Sequence, residues 1–169
     1  SSVVATPSTK KADAASYKAY LCLQTAKFTF RNQHDDAKFS NKLQNTTNKL
    51  SKNSVKFKDT TMKKGKKTYT VQLTGLNKCI AKDKTFNTLY VDTNIKGKDK
   101  KKVTVTNVNV FFDGKKVKTI KKGVLTPDPG QTDGFVQLQI INMWNSRVAK
   151  FKYTMPKKTI KVTYTVKIK

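Results

Sequence analysis

Apolar and polar residues alternate with period two along much of this chain. The clearest run is at the C-terminus, where Ile160, Val162, Tyr164, Val166 and Ile168 alternate with Lys161, Thr163, Thr165, Lys167 and Lys169. Successive side chains of a strand point to opposite faces, so this run predicts a half-buried antiparallel strand, apolar on one face and cationic on the other. Tyr69, Val71 and Leu73 repeat the pattern against Thr70, Gln72 and Thr74, and Gly75 closes it. Val55 and Phe57 fall on one parity between Lys56 and Lys58.

The segment 103–112 (VTVTNVNVFF) changes phase: Val103 and Val105 lie on one parity, Val108, Val110 and Phe112 on the other. A one-residue bulge near Thr106–Asn107 restores a common apolar face. Asp113-Gly114 follows, then another strand-like run, and a two-residue Asp-Gly loop between such runs predicts a tight hairpin. The predicted strands are 17–24, 27–32, 54–60, 67–74, 86–93, 102–112, 115–120, 134–142 and 158–168. Many short strands separated by turn residues imply an all-β fold, an antiparallel β-sandwich of jelly-roll-like form. Residues 17–169 form that domain. The small, polar, Pro-containing segment 1–16 reads as a disordered linker. Residues 34–51 read as a long polar loop, and 142–150 as a short helix.

Charge sharpens the picture. Thirty-six basic residues face ten acidic ones, a net charge of +26, and only Arg31 and Arg147 among the basic residues are arginines. Every acid is an aspartate. A coat this basic invites polyanions. Sequence-reading nucleic-acid binders rely on the planar arginine fork, which is nearly absent, so the lysines read first as a solvated coat that blocks edge-to-edge sheet pairing. No stretch approaches the ~18 apolar residues that span a bilayer, so no membrane insertion is expected. Cys22 and Cys79 permit one disulfide in an exported protein or two free thiols in any.

Catalytic signatures are missing: the chain has no GxSxG, P-loop, GxGxxG or HExxH. Its aspartates stand mainly in turn contexts, as at Asp113, Asp128 and Asp133. A non-enzymatic role without a cofactor follows. One histidine and two isolated cysteines leave no zinc site. Asp35 and Asp36, adjacent in the long loop, read first as a solvated loop and bind calcium only if carbonyls complete the shell.

The informative feature is a lysine-poor stripe. Where Leu21, Leu23, Leu89, Val91, Val136, Leu138 and Ile140 face inward, alternation turns Gln24, Tyr90, Asp92, Gln137 and Gln139 outward. Arg31 and Gln72 fall on polar parities as well. If these strands share a sheet, one face offers directional hydrogen-bonding groups beside an aromatic ring, which is what a sugar site needs. The single tryptophan, Trp144, just past a strand end, is either a corner of the core or a second stacking surface.

The segments 19–25 (AYLCLQT), 28–32 (FTFRN), 69–75 (YTVQLTG), 86–93 (FNTLYVDT) and 136–145 (VQLQIINMWN) resemble carbohydrate-binding-module-like β-sandwich domains of cell-surface and carbohydrate-active proteins of gut Firmicutes. The resemblance spans most of residues 17–168, and such relatives often carry an aromatic where this chain has Lys27. It implies a secreted, monomeric, non-catalytic module of an extracellular bacterial protein, binding a polysaccharide such as starch or xylan. The expected ligand-binding residues are Gln24, Arg31, Gln72, Tyr90, Asp92, Gln137, Gln139 and Trp144. Two other roles fit the composition: a lysine-rich adhesin that binds polyanions, and a structural spacer.

Overall fold

The computed structural model of the protein describes residues 15–31, 54–128 and 134–169. Eleven strands run in chain order among them: β1 (Ser16–Gln24), β2 (Thr29–Phe30), β3 (Lys56–Lys58), β4 (Thr60–Lys63), β5 (Gly65–Thr74), β6 (Thr88–Lys96), β7 (Val103–Phe112), β8 (Lys115–Lys122), β9 (Val124–Thr126), β10 (Phe135–Asn142) and β11 (Ile160–Ile168). They form two antiparallel sheets. The first has the order β2-β1-β6-β10-β9, with β4 also paired to β1, and the second has the order β3-β5-β11-β7-β8. The sandwich predicted from alternation is therefore the observed fold. The predicted strand 54–60 divides into β3 and β4, one in each sheet, and 27–32 contracts to Thr29–Phe30. Ser16, assigned to the linker, opens β1; residues 1–14 lie outside the described residues, as does the expected loop 34–51 with Asp35 and Asp36.

The core lies between the sheets and uses the apolar parities anticipated. Leu21, Leu23, Leu89, Val91, Val136, Leu138 and Ile140 from the first sheet meet Val71, Leu73, Val105, Val110, Val162 and Val166 from the second, all of them buried. Each such side chain contributes about 1.5–3 kcal/mol by leaving water. β11 sits at the centre of its sheet, between β5 and β7, so its apolar row spans the middle of the core.

The phase change in β7 is a bulge. Thr163 pairs with Asn109 but Thr165 with Thr106, and Asn107 takes the extra residue in a left-handed conformation, φ +52°. Asn tolerates that region better than most residues. Val103, Val105, Val108, Val110 and Phe112 thereby all face inward and are buried. At the end of β7, Asp113 (φ +52°) and Gly114 (φ +82°) form the two-residue hairpin loop, both with positive φ as a type I′ turn requires. The Asp113 N–H donates to the Thr159 carbonyl at 3.0 Å, and its carboxylate accepts from the N–H groups of Lys157, Lys158 and Thr159 at 2.7–3.0 Å.

Gly123 carries the chain from β8 in the second sheet to β9 in the first. A Cβ there would meet Leu138 Cδ1 at 2.6 Å and Val105 Cβ at 3.2 Å, so a larger residue at the crossing would have to displace the Leu138 tip and press on Val105.

Arg31 closes a break in the first sheet. On the same edge of β1, β2 ends where Phe30 pairs with Leu23, and β4 begins where Thr60 pairs with Ala19. Arg31 follows β2 and Asp59 precedes β4, and the two meet in a bidentate pair at 2.7 and 3.1 Å. The guanidinium is fully buried and stacks on Phe57 at 3.8 Å and Tyr20 at 4.7 Å. Delocalised charge suits this position, because the flat guanidinium bonds at its edge and stacks on its face.

Candidate functional site

β1, β6 and β10 are neighbours, so the outward residues of these three strands do share a face. The register sets them in rows. Gln24, Thr88 and Asn142 form one row, Cys22, Tyr90 and Gln139 the next, and Tyr20, Asp92 and Gln137 the third. None of these nine residues is a lysine, whereas the outward row of β11 carries Lys161 and Lys167.

A cleft of about 380 Å³ opens on this face, lined by Gln24, Thr88, Tyr90, Gln137, Gln139, Asn142 and Trp144. Five of the eight residues expected from the sequence thus converge: Gln24, Tyr90, Gln137, Gln139 and Trp144. The other three go elsewhere. Asp92 lies under the surface, where it accepts the N–H of Thr93 at 2.9 Å and is almost wholly buried beside Tyr20 and Gln137. Arg31 is the buried partner of Asp59 described above rather than a group aimed at solvent. Gln72 belongs to β5 in the second sheet, between Lys58 and Lys161, because strands 65–74 and 88–96 of like alternation fall in different layers.

The two aromatic candidates also separate. Tyr90 is only 5% exposed and forms a buried cluster with Tyr20 and Cys22 beneath the cleft. Trp144 is 65% exposed, so it is the ring with a face available for stacking. Burial, with added repulsion from the Asp92 carboxylate, pushes the Cys22 thiol well up from its ordinary pKa, and burial raises the Tyr20 phenol. Neither group supplies a reactive anion. Cys22 and Cys79 are both buried and unbonded to one another.

The wall of the cleft is an amide network. Gln139 Nε2 donates to Gln137 Oε1 at 3.3 Å, while Gln139 Oε1 accepts from Asn142 Nδ2 at 2.9 Å and Asn145 Nδ2 at 3.0 Å. The same asparagines shape the backbone. Asn142 Oδ1 accepts the Trp144 N–H at 2.9 Å and Asn145 Oδ1 accepts the Arg147 N–H at 3.1 Å, each bonding two residues ahead as asparagine does in turns. Beyond Asn142, the last residue of β10, residues 143–148 form consecutive turns, not the short helix expected over 142–150, and these turns hold Trp144 over the cleft.

Thr88, Asn142 and Asn145 were not among the expected residues. Thr88 shares the parity of Tyr90 and Asp92, so alternation already pointed to it. Asn142 was hidden by a register shift between Gln139 and Ile141, which reverses the parity at the end of β10. Asn145 lies beyond the strand and reaches the site only through its turn.

A second concavity of about 560 Å³ shares Asn142 with the first and is lined mainly by Phe86, Ile141, Met143, Val148, Phe151 and Tyr153. It is largely apolar and lacks the ring of amides. Among the described residues no group of three or more His, Cys, Asp or Glu could hold a metal ion, and no helix is long and apolar enough to cross a membrane. No known protein family, curated protein or solved structure matches the chain.

Proposed function

We propose that the protein is a non-catalytic carbohydrate-binding domain that works outside the cell as a monomer, and that the cleft beside Trp144 takes a neutral polysaccharide such as starch or xylan. The observation that carries this reading is the meeting of one exposed indole and a lysine-free set of amides in a single cleft. A pyranose ring presents an apolar C–H face and a rim of hydroxyls that both donate and accept. Trp144 offers a flat apolar face for the former. Gln24, Gln137, Asn142 and Thr88 offer amide and hydroxyl groups for the latter.

Shape and charge favour a neutral sugar. Among the described residues no cation lines the cleft, so none of its lining side chains rewards a carboxylate or sulfate over a hydroxyl. The Gln139 network restricts the wall and reduces the ordering cost on binding, because its side chains are already held.

The reading is tested by migration of the protein through native gels that contain soluble starch or xylan, the gel polarity set for a cationic protein. Retardation by one of them, and its loss in Trp144→Ala, supports the cleft. Unretarded migration of the wild-type chain in both gels contradicts it.

A further inference from the structure

We propose that the outward face of the second sheet is a separate docking surface for an extended anionic polysaccharide. The register arranges this face as a flat array. Lys58, Gln72, Lys161, Phe111 and Lys116 run across all five strands in one row. Thr70, Thr163, Asn109 and Thr119 form the next row, Thr68, Thr165, Thr106 and Lys122 the third, and Lys66, Lys167 and Thr104 the last. Cations therefore frame a floor of hydroxyls. At ~4.8 Å between strands and ~3.3 Å per residue, the frame measures about 20 Å on each side.

No described carboxylate stands on this face. All six described aspartates are engaged elsewhere: Asp59 with Arg31, Asp83 with Thr25, Asp92 with the Thr93 N–H, Asp99 with Lys102, Asp113 with the 157–159 backbone and Asp128 with Arg147. The positive potential of the array is thus uncompensated within the face. At one edge, Lys122 and Thr104 also line a cleft of about 550 Å³ with Lys100 and Lys101, where Asp128 pairs with Arg147.

A solvated coat needs only to be charged and has no need of a pattern. Here the lysines lie at the margins and the threonines in the middle. Thr68 and Thr165 share a hydrogen bond at 2.9 Å and Thr119 donates to Asn109 at 2.9 Å, so the floor is ordered. A polymer with repeating sulfates or carboxylates and free hydroxyls matches both parts. Single-stranded nucleic acid matches less well, because it calls for open aromatic platforms. Phe111, the aromatic ring in this array, is half-buried and has Lys161 Nζ 4.4 Å from its centroid.

The surface is distinct from the Trp144 cleft, and the two are separable by experiment. Binding of the full chain to dextran sulfate, to uncharged dextran and to a single-stranded DNA oligonucleotide is measured over a series of salt concentrations. Two charge-matched triple variants are compared: Lys58→Gln/Lys66→Gln/Lys167→Gln on the face, and Lys18→Gln/Lys82→Gln/Lys84→Gln away from it. All six lysines are exposed, and circular dichroism confirms the fold of each variant. The face variant loses about tenfold in affinity for dextran sulfate and its salt slope flattens, by analogy with the release of counterions from other polyanions. The off-face variant changes little, uncharged dextran does not compete, and Trp144→Ala leaves dextran sulfate binding intact. Equal losses in the two triple variants overturn the proposal, because net charge alone then explains binding. DNA bound as tightly as dextran sulfate overturns the choice of polysaccharide.

Discussion

The side-chain oxygen of Gln139 accepts a hydrogen bond from Asn145 Nδ2 at 3.0 Å, six residues further along the chain. That contact fastens the turn after β10 to the sheet face, and the turn carries Trp144. Gln139 is only 9% exposed, so its amide acts chiefly as a strut for the wall of the cleft.

Replacement of Gln139 by Leu deprives Asn142 and Asn145 of an acceptor. The expected cost is about 1–3 kcal/mol, read as a fall in the urea midpoint. Trp144 is the sole tryptophan, so its fluorescence anisotropy reports the turn directly. It falls in Gln139→Leu as the indole gains freedom; unchanged anisotropy contradicts the strut.

The apolar parities were legible because one strand face packs against the other sheet, and alternation records that burial. The bulge at Asn107 and the Asp113-Gly114 hairpin were legible for related reasons: one restores an apolar face, the other uses residues that accept positive φ. Gln72 was misplaced because parity identifies a face but not the sheet to which it belongs. Arg31 was misplaced because an ion pair between the flanks of β2 and β4 depends on sheet edges distant in sequence. Asn142 escaped notice because the shift after Gln139 breaks the alternation at the point where the cleft is built.

Asp113 contributes to the pH dependence of stability in acid. Desolvation by itself would raise its pKa, but the N–H groups of Lys157, Lys158 and Thr159 and the Lys157 charge prevail and hold it below the ordinary carboxylate value. A carboxyl lowered in the folded state stabilises fully above its unfolded pKa of about 3.9, and that contribution fades as pH falls through the lower folded value. In Asp113→Asn, which keeps a residue tolerant of positive φ, the loss of stability as pH falls below about 4 is shallower than in the wild type. Denaturant titrations at a series of pH values measure it; identical slopes contradict the assignment.

Arg31 and Asp59 act as a unit. Arg31→Met is expected to cost about 2–3 kcal/mol, below the range for a fully buried pair because Asp59 keeps some solvent access. Asp59→Asn costs at least as much, since the guanidinium stays buried with a weaker partner. The double variant loses clearly less than the sum of the singles, and strict additivity in this cycle excludes the pair as the closure of the β1 edge.

Both thiols are protected in the fold. Cys22 and Cys79 are buried and unbonded, and burial disfavours the Cys22 thiolate. A chromogenic disulfide reagent without added reductant therefore reacts slowly with the native protein and titrates two thiols per chain in denaturant. No free thiol after unfolding would mean that the cysteines are joined.

Calorimetric titration with starch and xylan oligosaccharides, for the wild type and Trp144→Ala at low and high salt, tests the proposed cleft most directly. One of them is expected to bind modestly with little change in salt, because no described residue lining the cleft is a cation, and to lose about tenfold or more in Trp144→Ala, or ~1.4 kcal/mol. Binding that vanishes as salt rises, or that survives Trp144→Ala unchanged, would contradict it.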